Sequence, residues 1–250
     1  MATWSDLEAE LDRWAHPPTF WWRDDDTVAE GPTLDRLLRL SEAHDMPMHL
    51  AVIPAHIEPS LRPRLRRAAD TWVFQHGVSH VNNEPPGARA SEVGEHFPLD
   101  TQRANLATGM AAMQAADLPN FLPVLVPPWN RIGDATVAAL RGFGYSAVSA
   151  YGAARLLPKV PGLARLNAHV DPVRWKEGAQ FRGTGKSLGQ LVEHLAARRS
   201  GLADPDEATG LLTHHLQTDE ATWDFLEELT QRLAPRTRWL RASDILGQGA

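Results

Sequence analysis

The chain has 250 residues, 43% of them hydrophobic and 22% charged, a composition that suits one ordinary globular domain with a sizeable core. A formal net charge of -6, with arginine interspersed among acids, argues against a general binder of phosphate backbones. The absence of cysteine removes disulfides, thiolate metal sites and a cysteine nucleophile, so any metal must be held by carboxylates and the 11 histidines.

In chain order, the opening stretch MATWSDLEAELDRWAHPP lacks the basic start and apolar run of a secretory signal, and Ser5 with Glu8 reads as a helix capping box. This start fits a cytoplasmic protein. No later run reaches the roughly 20 apolar residues needed to cross a bilayer, so neither a membrane nor nucleic acid is expected as a partner. Short β-rich runs then alternate with helical patterns. TFWWR reads as a strand, Pro32 to about His44 as a helix, MHLAVI as a strand, Leu61 to Ala69 as a helix and TWVFQ as a strand. Asp100 to Ala116 (helix), FLPVLV (strand), Asp134 to Arg141 (helix), YSAVSA and LARLNA (strands), Ser187 to Arg198 (helix), GLLT (strand) and Asp219 to Leu233 (helix) follow. Repeated β-then-α units imply a parallel sheet, and about seven of them with no glycine-rich phosphate loop predict one α/β domain over 1–250, a distorted (β/α)7 barrel.

The reactive residue types fall at the carboxyl ends of these strands. Asp24 to Asp26 follow the first, His76 and His80 the third, PPWNR the fourth, His169 and Asp171 the sixth, and His214 with His215 the seventh. In a parallel barrel those ends meet at one mouth. The spacing of His76 and His80 lets two imidazoles face one way over a helical turn and, with an aspartate, hold a divalent ion with positions left open. Such an ion would also relieve the repulsion among three consecutive aspartates.

These motifs, RDDD, HGVSH, VPPW, DPVRW and LLTHH in that order, resemble those of the polysaccharide deacetylases of the NodB-homology type, carbohydrate esterase family 4. The resemblance covers roughly Thr19 to His215 and implies a NodB-type barrel, similar to a TIM barrel. It implies Asp24 as catalytic base, Asp25, His76 and His80 as metal ligands, His214 as general acid, and Asp171 as the residue that buttresses that acid. Trp129 would contribute its backbone N–H to an oxyanion hole, beside Pro128 and Arg131, while Trp175, Trp22 and His215 would line the substrate pocket. The implied activity is hydrolysis of an acyl group, typically acetyl, from an N-acylated sugar or related small amide, with an oligosaccharide or small molecule as partner. Zn2+ heads the ions such ligands select, and Co2+ and Ni2+ suit them too.

Departures from the family pattern leave specific points open. Asp26 stands where the family has glycine, so base and ligand could each shift by one within Asp24 to Asp26. Val126 replaces the arginine that steadies the base, and Arg131 or Arg23 could supply its charge. Strand alternation lets only one of His214 and His215 point into the mouth. Two other classes compete: a catalytically silent carbohydrate-binding barrel, which the missing arginine favours, and an Fe(II) redox enzyme, which the βα alternation disfavours. The sequence gives no sign of the oligomeric state.

Overall fold

The computed structural model describes residues 1–247 of the chain. Strand β1 (Thr19–Thr27) is the hub. It pairs in parallel with β2 (Met48–Val52), from which β3 (Thr71–His76), β4 (Phe121–Val126), β5 (Ala147–Val148) and β6 (Ala164–Arg165) follow in sheet order. On its other side β1 pairs with β9 (Thr209–Thr213), also in parallel. Beyond β6 the chain bridges Ala168 to Tyr151 and Val170 to Leu211, carrying the sheet round to β9. The seven expected strands are therefore the seven staves of a curled parallel barrel, although YSAVSA and LARLNA keep only two strand residues each. A hairpin of β7 (Val173–Arg174) and β8 (Gln180–Phe181), and a short β10 (Arg238–Trp239) beside the start of β1, complete the strands.

Helices cover the sheet as the periodicity requires. Helix α1 (Trp4–Leu11) starts at a capping box made by Thr3 and Asp6, two residues before the expected pair of Ser5 and Glu8. Helix α2 (Pro32–Ala43) opens with proline in its first turn and buries Leu34, Leu37, Leu38 and Ser41, the i, i+3, i+4, i+7 stripe of an amphipathic helix. Helices α3 (Leu61–Leu65), α4 (Leu99–Ala116), α5 (Asp134–Ala139) and α6 (Thr184–Ser200) follow in turn. Helix α7 (Glu220–Leu233) is capped by the Asp219 carboxylate, which accepts the Thr222 N–H at 2.8 Å, and α8 (Ala242–Gly247) ends the described chain. Among the described residues no helix is long and apolar enough to cross a membrane.

Two packed layers set the direction of the side chains. Phe20 and Trp22 of β1 pack outward with Leu34, Leu37, Leu191 and Leu229 beneath the helices. Trp21, one residue out of phase, joins Ala51, Phe74, Val124 and Ala147 inside the curl. Every residue from Phe20 to Asp25 is buried, as expected for a parallel strand covered on both faces.

Candidate active site

The end of β1 does not keep simple alternation. Asp24 is in register with Leu50 and Thr27 with Val52, so β1 spends three steps where β2 spends two, a β-bulge. Asp26 carries it with φ 70°, in the left-handed region. The consequence is that Asp25 and Asp26, adjacent in sequence, both line a pocket of about 670 Å³, while Asp24 does not.

Asp26 is the aspartate that meets the histidines. Its Oδ1 lies 3.0 Å from His76 Nε2 and 3.4 Å from His80 Nε2, and one ligand atom from each of the three residues falls within a 4.8 Å cluster. This corrects the expectation that Asp25 joins the pair. The histidines do not share a helical turn. His76 ends β3, and the chain reverses through Gly77 (φ 53°) and His80 (φ 57°). Buried Glu92 shapes that reversal by accepting the N–H groups of Val78 at 3.0 Å and Ser79 at 2.9 Å. A side chain at position 77 would collide with Glu92 Oε2 at 1.9 Å and Pro128 Cγ at 2.6 Å, so glycine is required there by both space and backbone. Pro128 thus packs beneath the histidine loop and does not line the pocket, contrary to expectation.

The donor set fits a divalent ion. His76 Nδ1–H donates to the Val126 carbonyl at 3.0 Å, which directs Nε2 at Asp26 and makes it the nitrogen that would bind an ion on giving up its proton. Burial and then the neighbouring His76 lower the pKa of His80, keeping its imidazole neutral as a ligand requires. Burial works against ionisation of Asp26, yet its hydrogen bond and charge interactions with the histidines hold the carboxyl well below the usual carboxylate range. For His76 the same balance of burial against Asp26 and Asp25 comes out as a raised pKa. Two imidazoles and one carboxylate, with pocket space beyond them, form an N2O site of the borderline type.

Asp25 sits beside this cluster, and its charge is matched by Arg23. Both are almost wholly buried. Arg23 Nη1 also donates to the Ser149 carbonyl at 3.0 Å, and Nη2 to Asn130 Oδ1. Of the two arginines expected to supply a charge in place of Val126, Arg23 is the one paired with a pocket aspartate, whereas Arg131 Nη1 donates to the Ala90 carbonyl at 2.9 Å.

Asp24 was expected as the base, but it faces the helix layer. It accepts the Thr213 hydroxyl, the His215 N–H and the His215 ring Nδ1. Trp22, expected to line the pocket, is fully buried and donates from Nε1 to the same Thr213 hydroxyl at 3.0 Å. His215 turns outward with them. Alternation at the end of β9 then leaves His214 to enter the pocket, with its Nε2 3.9 Å from Asp25 Oδ2.

Asp171 lines the pocket but makes no hydrogen bond to His214. Its oxygens are taken by the Val173 N–H at 2.8 Å and the Trp175 Nε1–H at 2.9 Å. Trp175 is interposed as the neighbour of the imidazole, edge-on at 4.5 Å, and the His214 Nδ1 is buried without a partner among the described residues. Burial raises the pKa of Asp171, with the charge of His214 and the Trp175 bond acting in the opposite direction. Trp129 (φ 56°) also lines the pocket, its ring 4.4 Å from that of His80. Arg89, Asn130, Tyr151 and Arg182 complete the wall. The sequence reading did not name these four. Asn130 lies within the quoted PPWNR segment without having been singled out; the others come from loops with no local signature.

Comparisons with known proteins agree with this fold. No protein-family model and no curated protein matches the chain. Among solved structures it is similar to a Mycobacterium smegmatis protein assigned to the polysaccharide deacetylases, at 19% identity and a TM-score of 0.66, covering 95% of this chain and 91% of the other. A family 4 acetyl xylan esterase from Clostridium thermocellum in complex with a cobalt ion matches at 11% identity and a TM-score of 0.55, with 92% and 91% covered. A carbohydrate esterase family 4 pseudoenzyme from Bacillus anthracis matches at 17% and 0.57, with 93% of this chain and 66% of that one covered. The barrel is thus the NodB-type fold that the motifs imply.

Proposed function

We propose that this chain, built on the polysaccharide deacetylase fold, is a metal-dependent hydrolase that removes an acyl group, typically acetyl, from an N-acylated sugar or a related small amide. One observation carries the reading: a three-residue ligand cluster, a carboxylate already neutralised by arginine, and a histidine 3.9 Å from that carboxylate all face one pocket. A silent sugar-binding barrel has no need of this combination.

Asp26, His76 and His80 would hold the ion, with Zn2+ first in preference and Co2+ or Ni2+ suited to the same donors; the cobalt in the Clostridium thermocellum esterase supports that range. When bound, such an ion supplies Lewis acidity that polarises the acyl carbonyl and acidifies water. Asp25 is the base that takes a proton from the attacking water. Its pairing with Arg23 fixes the direction of the carboxylate. His214, at the end of the neighbouring strand β9, delivers a proton to the departing amine, which leaves readily only when protonated. The Trp129 backbone N–H stabilises the developing oxyanion, and the Trp175 ring walls the acid side of the pocket. Asp24, bound to both Thr213 and His215, acts as the clamp that presents His214.

The test is acyl release from a panel of N-acetylated sugars, with the bound metal measured in parallel, for the wild type and Asp25→Asn. The reading requires that release depends on a bound divalent ion and that Asp25→Asn abolishes it while metal content stays unchanged. A fully metal-loaded protein that binds sugars and releases no acyl group from any of them would establish the silent barrel instead.

A further inference from the structure

With Asp25 matched by Arg23, the pocket wall carries three further arginines against two further acids, Asp26 and Asp171. Arg89 from the loop after β3, Arg131 after β4 and Arg182 after β8 all line it, and none forms a salt bridge among the described residues. The pocket acids have other bonding partners: Asp25 pairs with Arg23, Asp26 with the two histidines, and Asp171 accepts from Val173 and Trp175, Arg182 reaching Asp171 only through its charge. Like charges are also brought together. Burial, and next the neighbouring Arg89, lower the pKa of the Arg131 guanidinium. The two loops are cross-tied, Ser91 Oγ donating to the Arg131 carbonyl at 2.8 Å and Arg131 Nη1 to the Ala90 carbonyl, so this proximity is built in. Arg182 Nη2 donates to the Val173 carbonyl at 3.1 Å, and its Nε is buried with no partner among the described residues. Three arginines outside any salt bridge among the described residues line one cavity, in a chain whose net charge is -6, a wall suited to an anion.

We propose that the acyl amide taken by this pocket carries an anionic group, a carboxylate or a phosphate ester, which Arg89, Arg131 and Arg182 hold while the amide lies against Asp25, Asp26 and His214. This rests on the hydrolase reading above and narrows its substrate class. Sharing the anion among several charge-assisted hydrogen bonds fixes which end of the substrate enters first.

The experiment compares metal-loaded enzyme on three substrates: N-acetylglucosamine, its 6-phosphate, and its 3-O-lactyl ether, which bears a carboxylate. The expected result is a kcat/KM for at least one anionic substrate about 30-fold or more above the neutral one, expressed chiefly in KM and shrinking as salt rises from 50 to 500 mM, on the order of magnitude that such bonds supply. In Arg89→Ala and in Arg182→Ala the ratio of anionic to neutral kcat/KM should fall about tenfold each. Which anionic sugar responds separates phosphate from carboxylate. A neutral substrate that reacts as well as both anionic ones, or a ratio unmoved in both variants, overturns the proposal and leaves the hydrolase reading standing. If no substrate is hydrolysed, calorimetric titration of the same three sugars decides: tighter binding of an anionic sugar, lost in Arg89→Ala, upholds the anion site, and equal binding refutes it.

Discussion

Arg23 and Asp25 stand two residues apart on β1, on one face of the strand, and form an ion pair with one hydrogen bond, Nη2 to Oδ2 at 3.0 Å, and a second close contact, Nε 2.8 Å from Oδ1. With both side chains out of solvent, neither charge has water to fall back on. Arg23→Gln should therefore cost about 3–5 kcal/mol of stability in urea denaturation, because it strands a buried carboxylate. Arg23→Gln/Asp25→Asn should recover most of that loss and remain without acyl-release activity. Equal destabilisation by single and double variants would show that the pair is not coupled.

The three aspartates should separate by assay. Asp26→Ala is expected to lose the metal, Asp25→Asn to keep it and lose turnover, and Asp24→Asn to keep it while losing about 1–3 kcal/mol from the broken bonds to Thr213 and His215. Metal analysis, acyl-release rates and denaturation midpoints on the same three preparations check this. Retention of the ion by Asp26→Ala together with its loss from Asp25→Asn would reverse the assigned register.

Gly77→Ala should disrupt the histidine loop even though position 77 bears no functional group. The added carbon meets Glu92 and Pro128 in a backbone conformation that already disfavours it. Metal affinity is expected to drop by at least tenfold, read by competition with a chromogenic chelator, whereas Gly142→Ala, with nothing within 4 Å, serves as the neutral comparison.

Acid should weaken the fold through His49. Burial, opposed by its bond to the Trp22 carbonyl, pushes this imidazole down to about 4. Its Nδ1–H donates to that carbonyl at 2.7 Å and its Nε2 accepts the Ala242 N–H at 2.9 Å, an arrangement available only to the neutral ring. Between about pH 6.5 and 4 the unfolded chain binds this proton and the folded one does not, so stability falls as pH drops through that window and is unaffected by His49 above it. The total is roughly 3 kcal/mol. Denaturation of wild type and His49→Gln at pH 7 and pH 5 should show a shallower pH slope for the variant; parallel slopes would contradict the assignment.

The barrel was legible because its signal is periodic: apolar runs of strand length alternate with helical stripes such as Leu34, Leu37, Leu38 and Ser41. His76, His80, His214, Trp129, Arg131, Asp171 and Trp175 reach the pocket for the same reason, since strand order alone sends their segments to one rim. The register of the aspartates was not legible. It depends on a bulge that puts Asp26 at positive φ, and nothing in DDD marks which residue will be the extra one. Nor could Glu92 be found from sequence, because its role arises only when the loop folds back on Val78 and Ser79. The expected link from Asp171 to His214 failed because the indole of Trp175, four residues on, takes the oxygen first.

Placing the guanidinium on the same strand as the carboxylate it serves has a hereditary consequence. Asp25 and its counter-charge travel as a single five-residue cassette, Arg23 to Thr27, so divergence in the fourth strand or in any loop cannot separate them. Chains with this fold that lack an arginine on the fourth strand can be sorted by whether Arg-x-Asp-Asp ends their first strand, which divides those that relocated the charge from those that abandoned it.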